Sequence, residues 1–325
     1  TIKMIDVVDL LIIGSGISGL SAALEAKKYF KNVLIIDKGY HSGGRICSKK
    51  INSFCFNHGA PYINKSSKRF NLGFSNFINK IDKVVPFKVS SNIKTNDSVL
   101  LVNPNMRSLF NKHLNKLNIN QKTKVLHIIK QVNYYQIKCD NGKIYKSKKI
   151  IVTAPAPQTA DLIKDVSPEM LKYINRANFS QCISVLLGFN QSFDLPLNSF
   201  FYDEIGGICS LLYENHNSKY SKNSSLVIRM SDKWSQFHFN MTNDEIINHC
   251  LSIISKKFNI IKINNVVSTY CHKWRYSQVT KRLPSNASIV NKEKNLGVAG
   301  DWTLGPTIED AYNSGKLVVQ KILEI

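Results

Sequence analysis

The chain has 325 residues, 43% of them hydrophobic, enough to bury a large core as one or two closely joined domains. Its formal charge is +22, but dispersed lysines dominate (Lys27-Lys28, Lys148-Lys149, Lys256-Lys257) among many asparagines; this argues against a nucleic-acid binder, which favours arginine-rich clusters with interleaved aromatics, and leaves a positive field that draws anionic small ligands. No apolar run approaches the ~20 residues that span a bilayer, the chain enters a strand with no room for a secretory signal, and the seven scattered cysteines (47, 55, 139, 182, 209, 250 and 271) lack metal-ligand spacing, so a reduced, cytoplasmic, zinc-free protein is expected.

The first predicted strand, Val7–Ile13, runs into Gly14-Ser15-Gly16-Ile17-Ser18-Gly19 and a helix from Ile17 to about Tyr29. A second strand, Val33–Ile36, ends on Asp37. A dinucleotide pyrophosphate is negatively charged and needs close backbone N–H donors, which a helix N-terminus supplies. Gly14 permits the tight turn, Gly16 lets the backbone approach the phosphates, and Gly19 lets the helix pack closely on the sheet. Asp37, about twenty residues on, can accept from the adenosine ribose hydroxyls. A glycine-rich turn in an unrelated α/β protein would leave that acid unexplained. In Ser42-Gly43-Gly44-Arg45, the glycines allow close passage and the guanidinium can clamp phosphate or ribityl oxygens, although an ordinary surface turn reads the same way.

Residues 67–103 are mixed and polar, with a helical stretch near Phe70–Ile81. A helix from about Met106 to Leu117 follows, with Pro104 as a start signal, then a strand at Thr123–Ile128. Asp140-Asn141-Gly142 predicts a tight hairpin, Lys149–Val152 a return to the nucleotide domain, and Ala154-Pro155-Ala156-Pro157 an exit. From 164 to 289 the strand-like runs Ile183–Phe189, Ser199–Tyr202, Ile208–Tyr213, Leu226–Met230 and Val266–Trp274 suggest an antiparallel sheet. A helix from Asp244 to about Phe258 has Thr242 or Asn243 as cap. Late in the chain a strand ends in Gly297-Val298-Ala299-Gly300-Asp301, and a helix begins near Thr307. Glu309 and Asp310 diverge by about 100° on that helix, so they form no glycosidase-like pair and suit its N-terminal dipole.

The spacing of Gly43-Gly44-Arg45 after the acid resembles the FAD-binding oxidoreductases of the amine oxidase and hydroxylase superfamily. Further segments are closer to its renalase-like group, particularly the bacterial members: Asn57-His58-Gly59-Ala60-Pro61-Tyr62, Val152–Gln158, Lys273-Trp274-Arg275-Tyr276, Ala299-Gly300-Asp301-Trp302 and Gly305–Tyr312 with Ser314-Gly315. Asn57-His58 departs from a common acidic residue, and Pro61 from a common glutamine. The resemblance spans essentially the whole chain. It implies an α/β fold: a discontinuous Rossmann-type FAD-binding domain (1–66, 104–163 and 290–325) with an inserted antiparallel-sheet substrate domain (67–103 and 164–289). It implies FAD held by Gly14, Gly16, Gly19, Asp37, Lys38, Gly43, Gly44, Arg45, Gly59, Ala60, Val125 (backbone, at adenine), Gly300, Asp301 (at the ribityl chain), Thr307 and Ile308. No cysteine accompanies the C-terminal helix where covalent attachment would be expected, so the flavin is expected to be noncovalent.

Pocket candidates are His58, Tyr62, Trp274 and Tyr276; strand alternation puts Trp274 and Tyr276 on one side and Arg275 on the other, and core packing would account for the aromatic pair equally well. No obvious general base stands among them. The resemblance implies an anionic substrate, a nicotinamide dinucleotide misreduced at ring position 2 or 6, whose oxidation restores an aromatic ring without proton abstraction and passes electrons to O2, giving peroxide. Three alternatives stand beside it. An amine oxidase would add an aromatic cage and a lysine, for which Lys273 and Lys281 are available. A carotenoid-type desaturase would want an apolar entry. A basic flavin-containing RNA- or DNA-binding protein would show a salt-dependent gel shift.

Overall fold

The computed structural model describes residues 7–64, 74, 84–87, 99–193, 200–215, 222–257 and 263–324. Strand β1 (Val8–Ile13) turns at Gly14 into helix α1 (Ile17–Ala26), and β2 (Val33–Ile36) returns parallel to it, Leu10 opposite Val33. The helix stops short of Tyr29 because the next N–H groups reach back three residues, Lys28 N to Glu25 O and Tyr29 N to Ala26 O. A short hairpin, β3 (Lys49–Ile51) and β4 (Phe54–Phe56), precedes a three-stranded sheet of β5 (Ile63–Asn64), β6 (Val84–Phe87) and β7 (Val99–Val102) in the order β5-β7-β6. The helix expected at Phe70–Ile81 lies, apart from Phe74, outside the described residues.

The single helix expected over Met106–Leu117 is two pieces, a 3₁₀ segment Met106–Phe110 and α2 (Asn111–Leu114). Met106, Leu109 and Phe110 are buried, and three-residue spacing stacks the first two on one side of the tighter helix. Next come β8 (Ile119–Asn120), β9 (Val125–Lys130), β10 (Tyr135–Cys139) and β11 (Ile144–Val152). Gly142 turns the β10–β11 hairpin at φ +76. Strand β11 has two roles: its first half pairs antiparallel with β10, and its second half runs parallel to β1.

After α3 (Ala156–Ile163) and α4 (Pro168–Ile174) come β12 (Asn178–Phe179), β13 (Cys182–Phe189), β14 (Phe200–Ile205), β15 (Ile208–Asn215) and β16 (Ser224–Met230). The strand expected from Ser199 thus starts outside the described residues. Helices α5 (Asp232–His238) and α6 (Asn243–Lys257) lead to β17 (Val266–Trp274), β18 (Val279–Lys281), β19 (Val290–Asn291) and β20 (Leu296–Val298). Short helix α7 (Asp301–Leu304) and long helix α8 (Ile308–Leu323) end the described chain. Thr242 caps α6, its Oγ1 accepting from Glu245 N while Glu245 accepts from Thr242 N, so the cap is Thr242 and not Asn243.

The eight-stranded sheet has the order β19-β20-β11-β1-β2-β8, with β10 and β9 extending from β11, and its core runs through Leu10–Ile13, Ile35, Ile36, Ile150–Val152, Val298 and Val318–Val319. Each such buried aliphatic side chain contributes roughly 1.5–3 kcal/mol. The five-stranded sheet is antiparallel, in the order β14-β15-β16-β13-β17. Its outer face (Ile183, Val185, Leu187, Leu211, Tyr213, Ile228) packs with Ile246, Cys250 and Ile254 of α6.

Period-two alternation gives the inner face a different chemistry. Register places His272, Ser184, Arg229 and Ser210 in one row across four strands, and Tyr270, Leu186, Val227 and Leu212 in the next. The apolar row packs with Phe54 and Phe56. The polar row faces the loop that follows them.

Candidate active site

At the carboxyl end of β1, Gly14 has φ +107, and Asp37 at the end of β2 accepts from both the N–H and the hydroxyl of Ser15. Gly39 N donates to the other Asp37 oxygen at 2.6 Å, and Thr123 N donates to Asp37 O at 2.8 Å, bringing Val125 of β9 near the acid. Lys38 is exposed and reaches Gln158 at 3.4 Å. Gln121, which the sequence reading passed over, lies against Ser42 beside this acid.

The three glycines of the turn do different work. A Cβ at Gly14 would lie 2.5 Å from Thr153 Oγ1, and one at Gly19 would lie 1.9 Å from Gly14 O, so both are closed by the protein itself. At Gly16 a Cβ would meet nothing within 4 Å. Open space beside a helix N-terminus, bordered by Gly43 and Gly44, is the room a pyrophosphate needs. Gly315 of α8 is closed in the same way as Gly19, a Cβ there meeting Ser18 O at 2.1 Å, while Ser314 Oγ lies 3.1 Å from Ser18 Oγ and accepts from Gly300 N.

Arg45 spans the space between the turn and the C-terminal segment: its Nη2 is 2.6 Å from Asp301 Oδ1 and its Nη1 donates to Ser277 O at 3.0 Å. Asp301 does not close a strand as expected; β20 ends at Val298 and the buried acid opens α7. Thr307 caps α8 in a capping box with Asp310, placing Ile308 in its first turn. Glu309 sits in the first turn of α8, as expected, and is buried, with its carboxyl pushed up by burial and Oε1 unpaired among the described residues.

The Asn57–Ala60 loop runs alongside these groups. Ala60 N donates to Arg45 O at 2.7 Å and Gly59 N to Cys47 O at 3.4 Å, and a Cβ at Gly59 would fall 2.0 Å from Arg45 O. His58 is buried with Nε2 3.3 Å from Cys47 Sγ. Burial, then the neighbouring His272, pushes His58 down to about 3, and burial pushes Cys47 up to about 12. The pair is therefore neutral at physiological pH, neither a thiolate nucleophile nor an effective base.

The chain's residues fit a flavin dinucleotide: an open glycine at a helix N-terminus, an acid at the end of β2, and an Arg–Asp pair further along. Residues 87–323 match the family described as flavin containing amine oxidoreductase, and residues 12–77 match an NAD(P)-binding Rossmann-like domain. The chain belongs to the flavin containing amine oxidoreductase family. A renalase of Mus musculus is 23% identical over 296 residues, covering 83% of this chain and 85% of that one. A double mutant of putrescine oxidase shares the fold with a TM-score of 0.75 at 10% identity, over 98% of this chain and 99% of the other. Wild-type putrescine oxidase bound to putrescine does so at 0.72 and 10%, with the same coverage. As a member of this family the chain is an FAD-dependent oxidoreductase.

In this flavoenzyme the sequence-predicted pocket residues divide. Trp274 lies 4.1 Å from the His272 ring and 5.5 Å from His58. Tyr276 lies beyond the end of β17. The strand stops at Trp274, so alternation no longer governs Tyr276, whose ring is 5.7 Å from Phe179, the ring beneath Arg45. Tyr62 is half-buried between the two cores. Arg275 lies over Phe239, and Lys273 donates to Phe239 O at 2.8 Å, so that lysine is engaged on the outer face. His272 was missed, although Tyr270-x-His272-x-Trp274 is the alternation that puts three rings on one face. A cleft of about 680 Å³ lined by Lys27, Lys31 and Lys116 opens where β1 and β2 begin, at the opposite end from the glycine turn, and is not this site.

Proposed function

We propose that this flavoenzyme oxidises misreduced dihydronicotinamide dinucleotides, 2- or 6-dihydro-NAD(P), to NAD(P)+. FAD would be held noncovalently by residues 1–66, 104–163 and 290–325, and the substrate would lie against 67–103 and 164–289, in a cytoplasmic protein. Bound FAD would supply the hydride acceptor and pass the electrons to O2, giving hydrogen peroxide. The groups that would hold it are Gly16, Asp37, Lys38, Gly43, Gly44, Arg45, Gly59, Ala60, Val125, Gly300, Asp301, Thr307 and Ile308, with Gly14 and Gly19 shaping the turn and helix that present them.

The observation that carries this reading is the cluster of rings formed by His58, His272 and Trp274, with centroids 4.1 to 5.5 Å apart. A histidine held down to about 3 is a weak base near neutrality. Loss of hydride from a dihydropyridine ring needs no base, whereas an amine must first shed its proton. The renalase match over most of the chain supports the same reading. The rings of Trp274 and His272 would stack on the dihydronicotinamide and exclude water, and the net positive charge would favour capture of an anionic dinucleotide.

Aerobic turnover of purified holoenzyme with 6-dihydro-NAD tests the reading, measuring NAD+ and peroxide together. One peroxide per NAD+ is expected, with no product from a panel of amines. Amine-dependent peroxide with none from the dihydronicotinamide would replace this reading with the amine oxidase one.

A further inference from the structure

Two charged side chains of the substrate sheet, Glu214 on β15 and Arg229 on β16, reach across to the Asn57–Ala60 loop. Arg229 Nη2 donates to Asn57 O at 3.2 Å and also to Gly59 O. Glu214 Oε1 accepts from Asn57 Nδ2 at 2.8 Å. The orientation of that amide is fixed by its other end. Asn57 Oδ1 accepts from Met106 N at 3.0 Å, an unambiguous donor, and from Ser48 Oγ at 2.7 Å, which itself accepts from Arg107 N. Nδ2 must therefore point at Glu214. The second carboxyl oxygen, Oε2, is buried and has no hydrogen-bond partner among the described residues.

We propose that Glu214 is a positioning residue for the flavin-facing loop, and that the charge on its carboxyl sets how firmly the loop is held. The ionised carboxylate accepts a charge-assisted hydrogen bond from Asn57 and attracts the Arg229 guanidinium that grips Asn57 O and Gly59 O. The neutral acid keeps only an ordinary hydrogen bond. The loop in turn is bonded to Arg45 O, and Arg45 is paired with Asp301, so the substrate sheet is mechanically connected to the cofactor groups. Burial first, opposed by hydrogen bonding from Asn57 and by Arg229, leaves this acid titrating at about 7. Beside it stands the Cys55 thiol of β4, itself pushed up by burial and by Glu214, and Arg107 and Lys50 act on that thiol in the opposite sense. The inference requires only the family's flavin, not the identity of the substrate.

The test is a pH titration of FAD-loaded full-length protein from 5.5 to 8.5, following the visible flavin spectrum and the FAD dissociation constant. Wild type is expected to show one transition near 7, with FAD held about 3- to 10-fold tighter on the alkaline side, the difference between an ordinary and a charge-assisted hydrogen bond. Glu214→Gln keeps an acceptor for Asn57 and cannot ionise, so its profile should be flat. Asn57→Asp sets a second carboxylate against Glu214 and should move the midpoint upward; it serves if the glutamine variant does not fold. No transition in wild type, an unchanged transition in Glu214→Gln, or an unmoved midpoint in Asn57→Asp would overturn the proposal. A failure of dihydronicotinamide turnover would leave it intact.

Discussion

Where α1 packs on the turn after β1, a single methyl group at Gly19 would fall 1.9 Å from a backbone oxygen, whereas the inner face of the five-stranded sheet presents full side chains in rows, His272-Ser184-Arg229-Ser210 and then Tyr270-Leu186-Val227-Leu212. The cofactor side is shaped by where side chains are missing. The sheet face is shaped by which ones are present. Within the glycine turn the same contrast recurs, since Gly14 and Gly19 are closed by the protein and Gly16 is open. The first pair hold the fold together, and the open position leaves room for a ligand.

The largest effect expected from breaking this contrast is at Gly19. Gly19→Ala should cost about 3 kcal/mol or more, because the collision is with backbone, and thermal melting of the apoprotein would report it. Gly16→Ala should melt like wild type without FAD yet lose FAD affinity at least about 10-fold, since only the ligand meets the new methyl. Equal losses of stability in both variants would erase the distinction.

Next comes the ion pair. Asp301→Ala and Arg45→Ala should each weaken FAD retention by on the order of 10- to 100-fold, the loss of a charge-assisted contact, measured as flavin released on dilution. Asp37→Ala should weaken retention in the same sense; tight flavin in all three would contradict the site. On the substrate side, Trp274→Ala should slow flavin reduction roughly 10-fold while leaving FAD bound, and Tyr276→Phe should change reduction little.

The smallest effect concerns pH. Because the folded-state pKa of His58 is depressed, its neutral form favours the fold fully above about 6.5, and that contribution is lost as pH falls toward about 3. Stability should therefore fall by at most about 1.4 kcal/mol per pH unit below 6.5 on account of this residue. His58→Gln should flatten the acid limb of a melting-temperature profile. Glu214 has the opposite sign: its raised pKa favours the fold below about 4.5 and that contribution is lost as pH rises through about 7, so Glu214→Gln should gain relative stability at pH 8.5.

Legibility in the sequence follows the same division. Gly14, Gly16, Gly19 and Asp37 lie within two dozen or so residues of one strand–helix–strand unit, and their spacing has a direct steric meaning. The strands of the five-stranded sheet are also readable from alternation, β17 to the residue. Which strands neighbour one another was not: β13 lies between β16 and β17, so the row joining Ser184 to Arg229 and His272 depends on pairings across dozens of residues. The Asn57–Glu214 hydrogen bond joins positions 157 residues apart with no local pattern to announce it. Alternation has no force at Tyr276, two residues past the end of its strand, and the Met106–Leu117 helix divides because periodicity alone does not separate a 3₁₀ turn from an α-helix.

The most direct test of base-free hydride removal is anaerobic stopped-flow bleaching of the bound flavin's visible absorption by 6-dihydro-NAD, by ordinary NADH and by a panel of amines, from pH 6 to 9. Rapid bleaching by the 6-dihydro isomer, with a rate that His58→Gln does not make more pH-dependent, is the expected result. Bleaching by an amine, with the 6-dihydro isomer inert, would contradict it.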